Sequence, residues 1–152
     1  MALYAASFSV AGVNTANSTL VNLKTAATDR ARVREVGLFL SVLPTTAPDL
    51  VLVRMNAVGT GAITTGTTVP QDPADAASAT TIETAWATAR PTVTGGHFRR
   101  ALLPLTIGAG IVWTMPPGNE IMLAVSTGLC IHNINASGAT AGTLNGYVVW
   151  DE

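Results

Sequence analysis

The apolar positions of this chain come in short runs, and the strongest run covers residues 31–42. Arg32 and Arg34 first alternate with other residues, and an almost unbroken apolar stretch follows from Val36 to Val42. Successive residues of a strand point to opposite faces. The alternating half therefore predicts a strand with one buried face, and the continuous half predicts a strand that enters a sandwich and is buried on both faces.

Similar runs recur along the whole chain, and clusters of Gly, Pro, Asn and Ser separate them. The other candidate strands are 4–10, 19–25, 50–57, 81–87, 97–103, 111–115, 120–127, 129–135 and 143–150. No segment carries a long apolar stripe at helical spacing, so we expect little helix. About nine or ten short strands at this spacing predict an all-β fold, a single antiparallel sandwich or barrel.

The segment 58–79 departs from this pattern, because it is rich in Gly, Thr, Pro and Asp and has no apolar period. Within a single domain spanning 1–152 we interpret it as a long contact loop. Asp72 and Asp75 lie in it as candidate interface residues. Calcium would need more oxygen ligands than these two carboxylates supply, and an Asp before a Pro favours a turn.

Charge is scarce in this chain: 48% of residues are hydrophobic and 11% are charged, where an ordinary soluble domain has roughly 25% charged residues. No apolar run approaches the roughly 18 to 20 residues of a membrane-spanning helix, so we expect no membrane partner. Few charges leave little to keep two surfaces apart. We therefore expect copies of the chain, or a larger assembly, to cover much of its surface.

The formal net charge of −1 argues against nucleic acid as a partner, since nucleic-acid binders usually have a basic face and a high pI. Cys130 is the single cysteine, so the fold has no internal disulfide. The first residues show no signal-peptide pattern, and we expect the chain to be made in a cytoplasm.

The densest charges lie at 29–35, where Arg30, Arg32 and Arg34 would share one face of a strand beside Glu35. Such a row could grip phosphate or carboxylate. Phosphate sites usually add glycine-rich backbone donors, which this strand lacks. We therefore interpret the row as a solvated face or a contact paired with carboxylates of a neighbouring subunit.

Two further charged positions, Arg99 and Arg100, are adjacent and therefore face opposite sides of a regular strand. We expect one of them to pair with a carboxylate or with another chain. Cys130 and His132 are two residues apart and share a strand face. A structural zinc site needs four ligands, and a buried Cys more often acts as a small apolar residue than as a nucleophile. We predict no catalytic residues, no metal and no cofactor.

Several segments together carry a resemblance to a known class of protein. They are Thr25–Thr28 leading into Arg32–Phe39, Asp72–Ala77 ahead of Trp86, Arg99–Pro104 with Ile107–Trp113, and the closing Tyr147–Glu152. Together they resemble small β-sandwich structural proteins of tailed bacteriophages, of the capsid decoration or minor head protein kind. The resemblance implies a jelly-roll-like sandwich, often a homotrimer, that binds the major capsid protein on the outside of the virion and has no active site.

We therefore expect a non-enzymatic virion structural protein that decorates or cements a capsid. Its candidate interface residues are Arg30, Arg32, Arg34, Glu35, Asp72, Asp75, Arg99 and Arg100. A carbohydrate- or receptor-binding β-sandwich of a phage tail or fibre is the alternative, and it would need an exposed aromatic platform, with Trp86 or Trp113 as candidates. A cupin-like metalloenzyme is a third hypothesis, but the chain has only two His residues.

Overall fold

The structure is a computed structural model that describes residues 2–12, 17–135 and 141–152, and it contains twelve strands in these ranges. The strands are β1 (Leu3–Ala11), β2 (Ser18–Lys24), β3 (Ala31–Val42), β4 (Asp49–Ala57), β5 (Ile63–Thr65), β6 (Thr68–Pro70), β7 (Thr81–Trp86), β8 (Thr92–Leu102), β9 (Gly110–Thr114), β10 (Ile121–Leu123), β11 (Gly128–Asn133) and β12 (Thr143–Asp151).

The strands form two antiparallel sheets, which confirms the predicted all-β antiparallel sandwich. Sheet A has the order β10-β3-β12-β1-β6, with β9 also paired to β3, and sheet B has the order β5-β7-β2-β11-β4-β8. Each strand predicted from the sequence is present. Two strands more than the highest predicted number are found, β5 and β6, and both lie within 58–79. They have three residues each and no fully buried side chain, so they leave no alternating apolar signal.

The core lies between the two sheets and takes alternate residues from their long strands. Along β1 the buried side chains are those of Tyr4, Ala6, Phe8 and Val10, and the intervening residues face outward. Trp150 is fully buried and its ring stacks on that of Tyr4, with 6.0 Å between the centroids. Burying aromatic rings removes much apolar area from water, and this is the dominant favourable term in folding.

The outer face of sheet B is covered by the chain itself. Val51, Val53 and Cys130 alternate with core residues and form a second buried cluster on this face. The segment 86–93 crosses it: Thr19 donates its hydroxyl to the Pro91 carbonyl at 2.8 Å, and Val93 packs against the cluster. Sheet B is therefore shielded from water on both sides over this region.

The segment 58–79 connects the two sheets at one side of the sandwich. β5 pairs with β7 at an edge of sheet B, and β6 pairs with β1 at an edge of sheet A. At the end of this segment, the carboxylate of Glu152 accepts hydrogen bonds from the Ser78 hydroxyl at 2.7 Å and from the Thr80 amide at 2.7 Å. The last residue of the chain thereby ties the end of this segment to the sandwich.

Candidate functional site: the outer face of sheet A

The outer face of sheet A is the side of that sheet turned away from the core. The strand register and the alternating burial assign its residues. They are Leu3, Ala5, Ser7, Ser9 and Ala11 of β1; Val69 of β6; Thr143, Asn145, Tyr147 and Val149 of β12; Glu35, Gly37, Phe39 and Ser41 of β3; and Gly110, Val112 and Thr114 of β9. The same register places two further charged residues on this side, Arg32 of β3 and Asp151 of β12, in the row that contains Leu3 of β1. The charges of the face therefore lie at one end of the sheet, where Glu35 occupies the next row.

This face has few charges because the charges of the chain are unevenly distributed in the sequence. No Asp, Glu, Lys or Arg occurs in 1–23, 36–48, 55–71, 101–119 or 121–150. These intervals contain all of β1, β6, β9 and β10, nearly all of β12 and the second half of β3, which belong to sheet A. They also contain β5, β11 and most of β2, which belong to sheet B. The intervals are visible in the sequence, but only the strand order shows which of them meet on the outer face of sheet A.

Two aromatic rings on this face lie down over the glycines of neighbouring strands. A Cβ placed on Gly37 would come within 2.3 Å of the Tyr147 ring, and one on Gly110 within 2.2 Å of the Phe39 ring. Only glycine leaves space for a ring to lie directly over the neighbouring backbone. The Tyr147 hydroxyl donates to the Glu35 carboxylate at 2.6 Å and holds its ring down. Such a surface suits close face-to-face packing.

The apolar stretch of β3 was predicted to be buried on both faces, and the structure buries it fully on one face only. Val36, Leu38 and Leu40 are fully buried in the core, whereas Phe39 and Ser41 on the other side are half-buried. Nearby, Val112 is 45% exposed and Val69 is 56% exposed. Within the described chain, the second face of β3 has no covering layer like the one that segment 86–93 provides for sheet B.

The arginine row does not form as predicted. β3 begins at Ala31, so Arg30 precedes the strand, and a bulge opposite Val149 and Trp150 shifts Arg34 out of regular alternation. The carboxylates that pair with Arg34 come from its own chain. Asp151 of β12 contacts both Nε and Nη2, and Glu120 lies 3.7 Å from Nη1. The prediction that carboxylates of a neighbouring subunit pair with the row is therefore wrong for Arg34.

Arg30 instead lies beside Arg54 of β4 in a recess of about 270 Å³ lined also by Met122, Leu123 and Ala124. Arg54 is held in place, since its Nη1 donates to the Met122 carbonyl at 3.1 Å and its guanidinium lies 5.0 Å from the centre of the Phe98 ring. No ion pair joins Arg30, Arg32 or Arg54 to a carboxylate in the part of the chain that the structure describes. We call this site the arginine recess.

The remaining charged candidates lie apart from the outer face of sheet A. Arg100 makes a two-pronged contact with Asp49, with Nε 3.0 Å from one oxygen and Nη2 2.5 Å from the other. Arg99 donates to the Phe98 carbonyl at 2.8 Å. In the segment 58–79, the side-chain Oδ1 of Asp72 accepts a hydrogen bond from the amide of Ala74 at 2.9 Å, which confirms the predicted turn. Asp75 is half-buried, and its amide donates to the carbonyl of Asp72.

Cys130 and His132 are both buried and on the outer face of sheet B, as their spacing predicts. Burial raises the pKa of the Cys130 thiol to about 12, so the thiol is a poor nucleophile at neutral pH. Its sulfur lies 3.6 Å from the Asn22 side-chain oxygen. No group of three or more His, Cys, Asp or Glu residues is arranged to hold a metal within residues 2–12, 17–135 and 141–152.

The tryptophans are not arranged as a platform for sugar stacking. Trp113 is 8% exposed and faces the core, and Trp150 is fully buried, so both rings pack in the core. Trp86 is half-buried, donates to the buried Glu83 at 3.3 Å, and covers the backbone of Gly59.

No protein-family model matches the chain, and no curated protein and no solved structure matches it. In the described ranges, no helix is long and apolar enough to cross a membrane.

Proposed function

We propose that this protein is a non-enzymatic structural subunit of a virus particle, which decorates or cements the outside of a bacteriophage capsid. The observation that carries this proposal is the outer face of sheet A, which has few charges and is left open, whereas the middle of the outer face of sheet B is buried. In this proposal three copies of the chain form a trimer, and the trimer binds the major capsid protein.

The physical support begins with the cost of leaving this face in water. Single exposed apolar residues are ordinary, but contiguous apolar patches mark interaction surfaces. Val69 and Val112 lie toward opposite sides of sheet A and are about half exposed, with Leu3, Val149 and Phe39 on the strands between them. Apart from Glu35 and the row that contains Arg32 and Asp151, the residues between them are uncharged, so a second layer over this part of the face would bury them without desolvating a charge.

The arginine recess offers a second, polar contact at the β10 edge of sheet A. Arg54 is oriented by Met122 and Phe98 and keeps donors that are not used within the chain. A guanidinium fixed in this way pairs best with a carboxylate in a forked geometry. We propose that a carboxylate of a neighbouring subunit or of the shell protein binds here, which would set the register of an otherwise uniform apolar contact.

The test compares two substitutions of the same chemistry at equally exposed valines. Val112→Lys places a charge on the outer face of sheet A, and Val58→Lys places one on the β4–β5 connection, where Val58 is 47% exposed against 45% for Val112. The mass of each protein in solution is measured by light scattering, and its binding to capsids that lack the chain by co-sedimentation.

The proposal expects the wild type and Val58→Lys to form trimers and to sediment with shells, and Val112→Lys to lose one or both properties while keeping its fold by circular dichroism. A wild-type monomer that ignores shells would overturn the proposal. So would a Val112→Lys protein that assembles like the wild type. The sugar-binding alternative has no support from Trp113, because its ring is buried in the core.

A further inference from the structure

A second recess lies at the end of the β2–β11 ladder, on the side of the molecule where segment 86–93 covers sheet B. Its volume is about 370 Å³, larger than that of the arginine recess. Thr19, Arg90, Pro91 and His132 are among its lining residues, together with Ser18 at its wall. The β2–β11 register shifts between Ile131 and His132, and this irregularity opens the ladder at the recess.

The recess has one fixed cation and no carboxylate among its lining residues. Arg90 is exposed, and its Nη1 donates to the Thr19 carbonyl at 2.7 Å. None of the ion pairs among the described residues involves Arg90. One of the five N–H donors of a guanidinium is thus used to hold the group in place, and the rest remain for a ligand.

A buried hydroxyl with no partner marks the same wall. Ser18 is 5% exposed, and its Oγ makes no hydrogen bond. Leaving a buried hydroxyl unsatisfied is costly, and such groups are few in native proteins. Ser18 is one of the lining residues of the recess, but its Oγ is not accessible from it. A rotation of this side chain into the recess would let a ligand oxygen accept its hydrogen bond and would remove that cost.

The third polar group of the recess is a histidine with a defined tautomer. Because the Thr19 hydroxyl already donates to Pro91 at 2.8 Å, it accepts from Nδ1 of His132, 3.2 Å away. The neutral ring therefore carries its proton on Nδ1 and has a lone pair on Nε2. Burial, and then the nearby His97 of β8, lower the pKa of His132.

We propose that this recess binds an oxyanion, a phosphate or a carboxylate, through the Arg90 guanidinium and the Ser18 hydroxyl. An anion there offsets the positive charge that Arg90 and His97 place near His132, so binding raises the pKa of that imidazole. The thiol of Cys130, two residues along the same face, stays protonated at neutral pH and adds no charge. The site is separate from the outer face of sheet A and does not depend on the role proposed for that face.

The experiment titrates the full chain with sodium phosphate and, separately, with sodium acetate, at fixed ionic strength in sodium chloride. Amide NMR shifts of Ser18, Thr19 and Arg90 report binding, and the imidazole signals of His132 report its pKa. Saturable shifts at these residues and a higher His132 pKa are expected with at least one anion. Saturation by phosphate alone assigns a phosphate ligand, and saturation by acetate alone assigns a carboxylate.

The variants separate a built site from general charge attraction. Arg90→Gln should weaken binding by about tenfold or more, because hydrogen bonds to charged groups are among the stronger ones. Arg99→Gln removes the same charge from the exposed strand β8 and should leave binding unchanged. Arg90→Lys keeps the positive charge and should bind with intermediate affinity, which controls for loosening of the 86–93 segment.

Ser18→Ala provides the sharpest contrast. Without an anion this variant should be as stable as the wild type or more stable, since it deletes an unsatisfied buried hydroxyl. With the anion it should gain less in Tm than the wild type does. The proposal is overturned if neither anion saturates, or if Arg99→Gln weakens binding as much as Arg90→Gln does.

Discussion

The buried thiol of Cys130 should make the free energy of unfolding fall as the pH rises above neutral. The substitution Cys130→Ala should remove this part of the pH dependence. The side chain has no exposed surface, and desolvation is the first cause of its raised pKa, followed in the same direction by the buried carboxylate of Glu83. The value is about 12 in the folded chain against 9.0 for a free thiol. Because the folded pKa is the higher one, the thiol favours folding below about pH 9 and this contribution is lost as pH rises toward 12.

The size of the effect follows from the fraction of thiolate in the unfolded chain. At pH 10 a thiol with a pKa of 9.0 has about ten thiolates for each thiol, while the folded one remains almost fully protonated. The unfolded state is then favoured by a factor of about ten, or about 1.4 kcal/mol, relative to pH 8. Other groups titrate in this range, but they contribute equally to the wild type and to Cys130→Ala.

The assay is unfolding in urea at pH 8, 9 and 10, monitored by tryptophan fluorescence. A phosphine reductant is present to keep the thiol reduced. The wild type should lose about 1.4 kcal/mol more of its unfolding free energy between pH 8 and pH 10 than Cys130→Ala loses. Equal losses in the two proteins would refute the reasoning. Rapid reaction of the native thiol with a disulfide reagent at pH 8 would refute it independently, since the burial would then be wrong.

Two further predictions concern the charged end of sheet A. Glu35→Gln should lower the pKa of Tyr147, because the hydrogen bond from the Tyr147 hydroxyl to the Glu35 carboxylate is the first cause of the raised pKa. NMR titration of the Tyr147 ring measures this pKa, and an unchanged value would mean that the hydrogen bond is absent. Asp151→Asn should lower Tm about twice as much as Arg100→Gln does, since Asp151 is buried against Arg34 while Arg100 is mostly exposed. Equal falls in Tm would contradict the burial of this pair.

Most of the fold follows from local features of the sequence. Alternating side chains and turn residues located every long strand, because a strand with one buried face must place apolar residues at every second position. The short strands β5 and β6 were missed for the same reason. Their residues are exposed, and their place in the sheets comes from backbone hydrogen bonds to β7 and β1 rather than from buried side chains.

The candidate site was harder to predict, because its residues come together only through strand order and register. The low total charge led us to expect a surface that other subunits cover, and this stays a prediction. The interface residues chosen from the sequence were the charged ones. Arg34 was expected to reach a neighbouring subunit, but β12 lies beside β3 and brings Asp151 to it. Strand pairing over more than one hundred residues leaves no local trace in the sequence.

The sequence by itself determined that this protein is built of short antiparallel strands, has little charge and carries one cysteine without a disulfide partner. These properties depend on residue type and on spacing over a few positions. Tertiary structure alone decided that β1, β6, β9 and β12, which carry almost no charge, assemble into one sheet with β3, that Arg30 lies beside Arg54, and that Arg90 meets Thr19 near His132. The physical reason is register: which residues face each other across a sheet is set by long-range pairing, and a shift of one residue would turn each side chain to the opposite face.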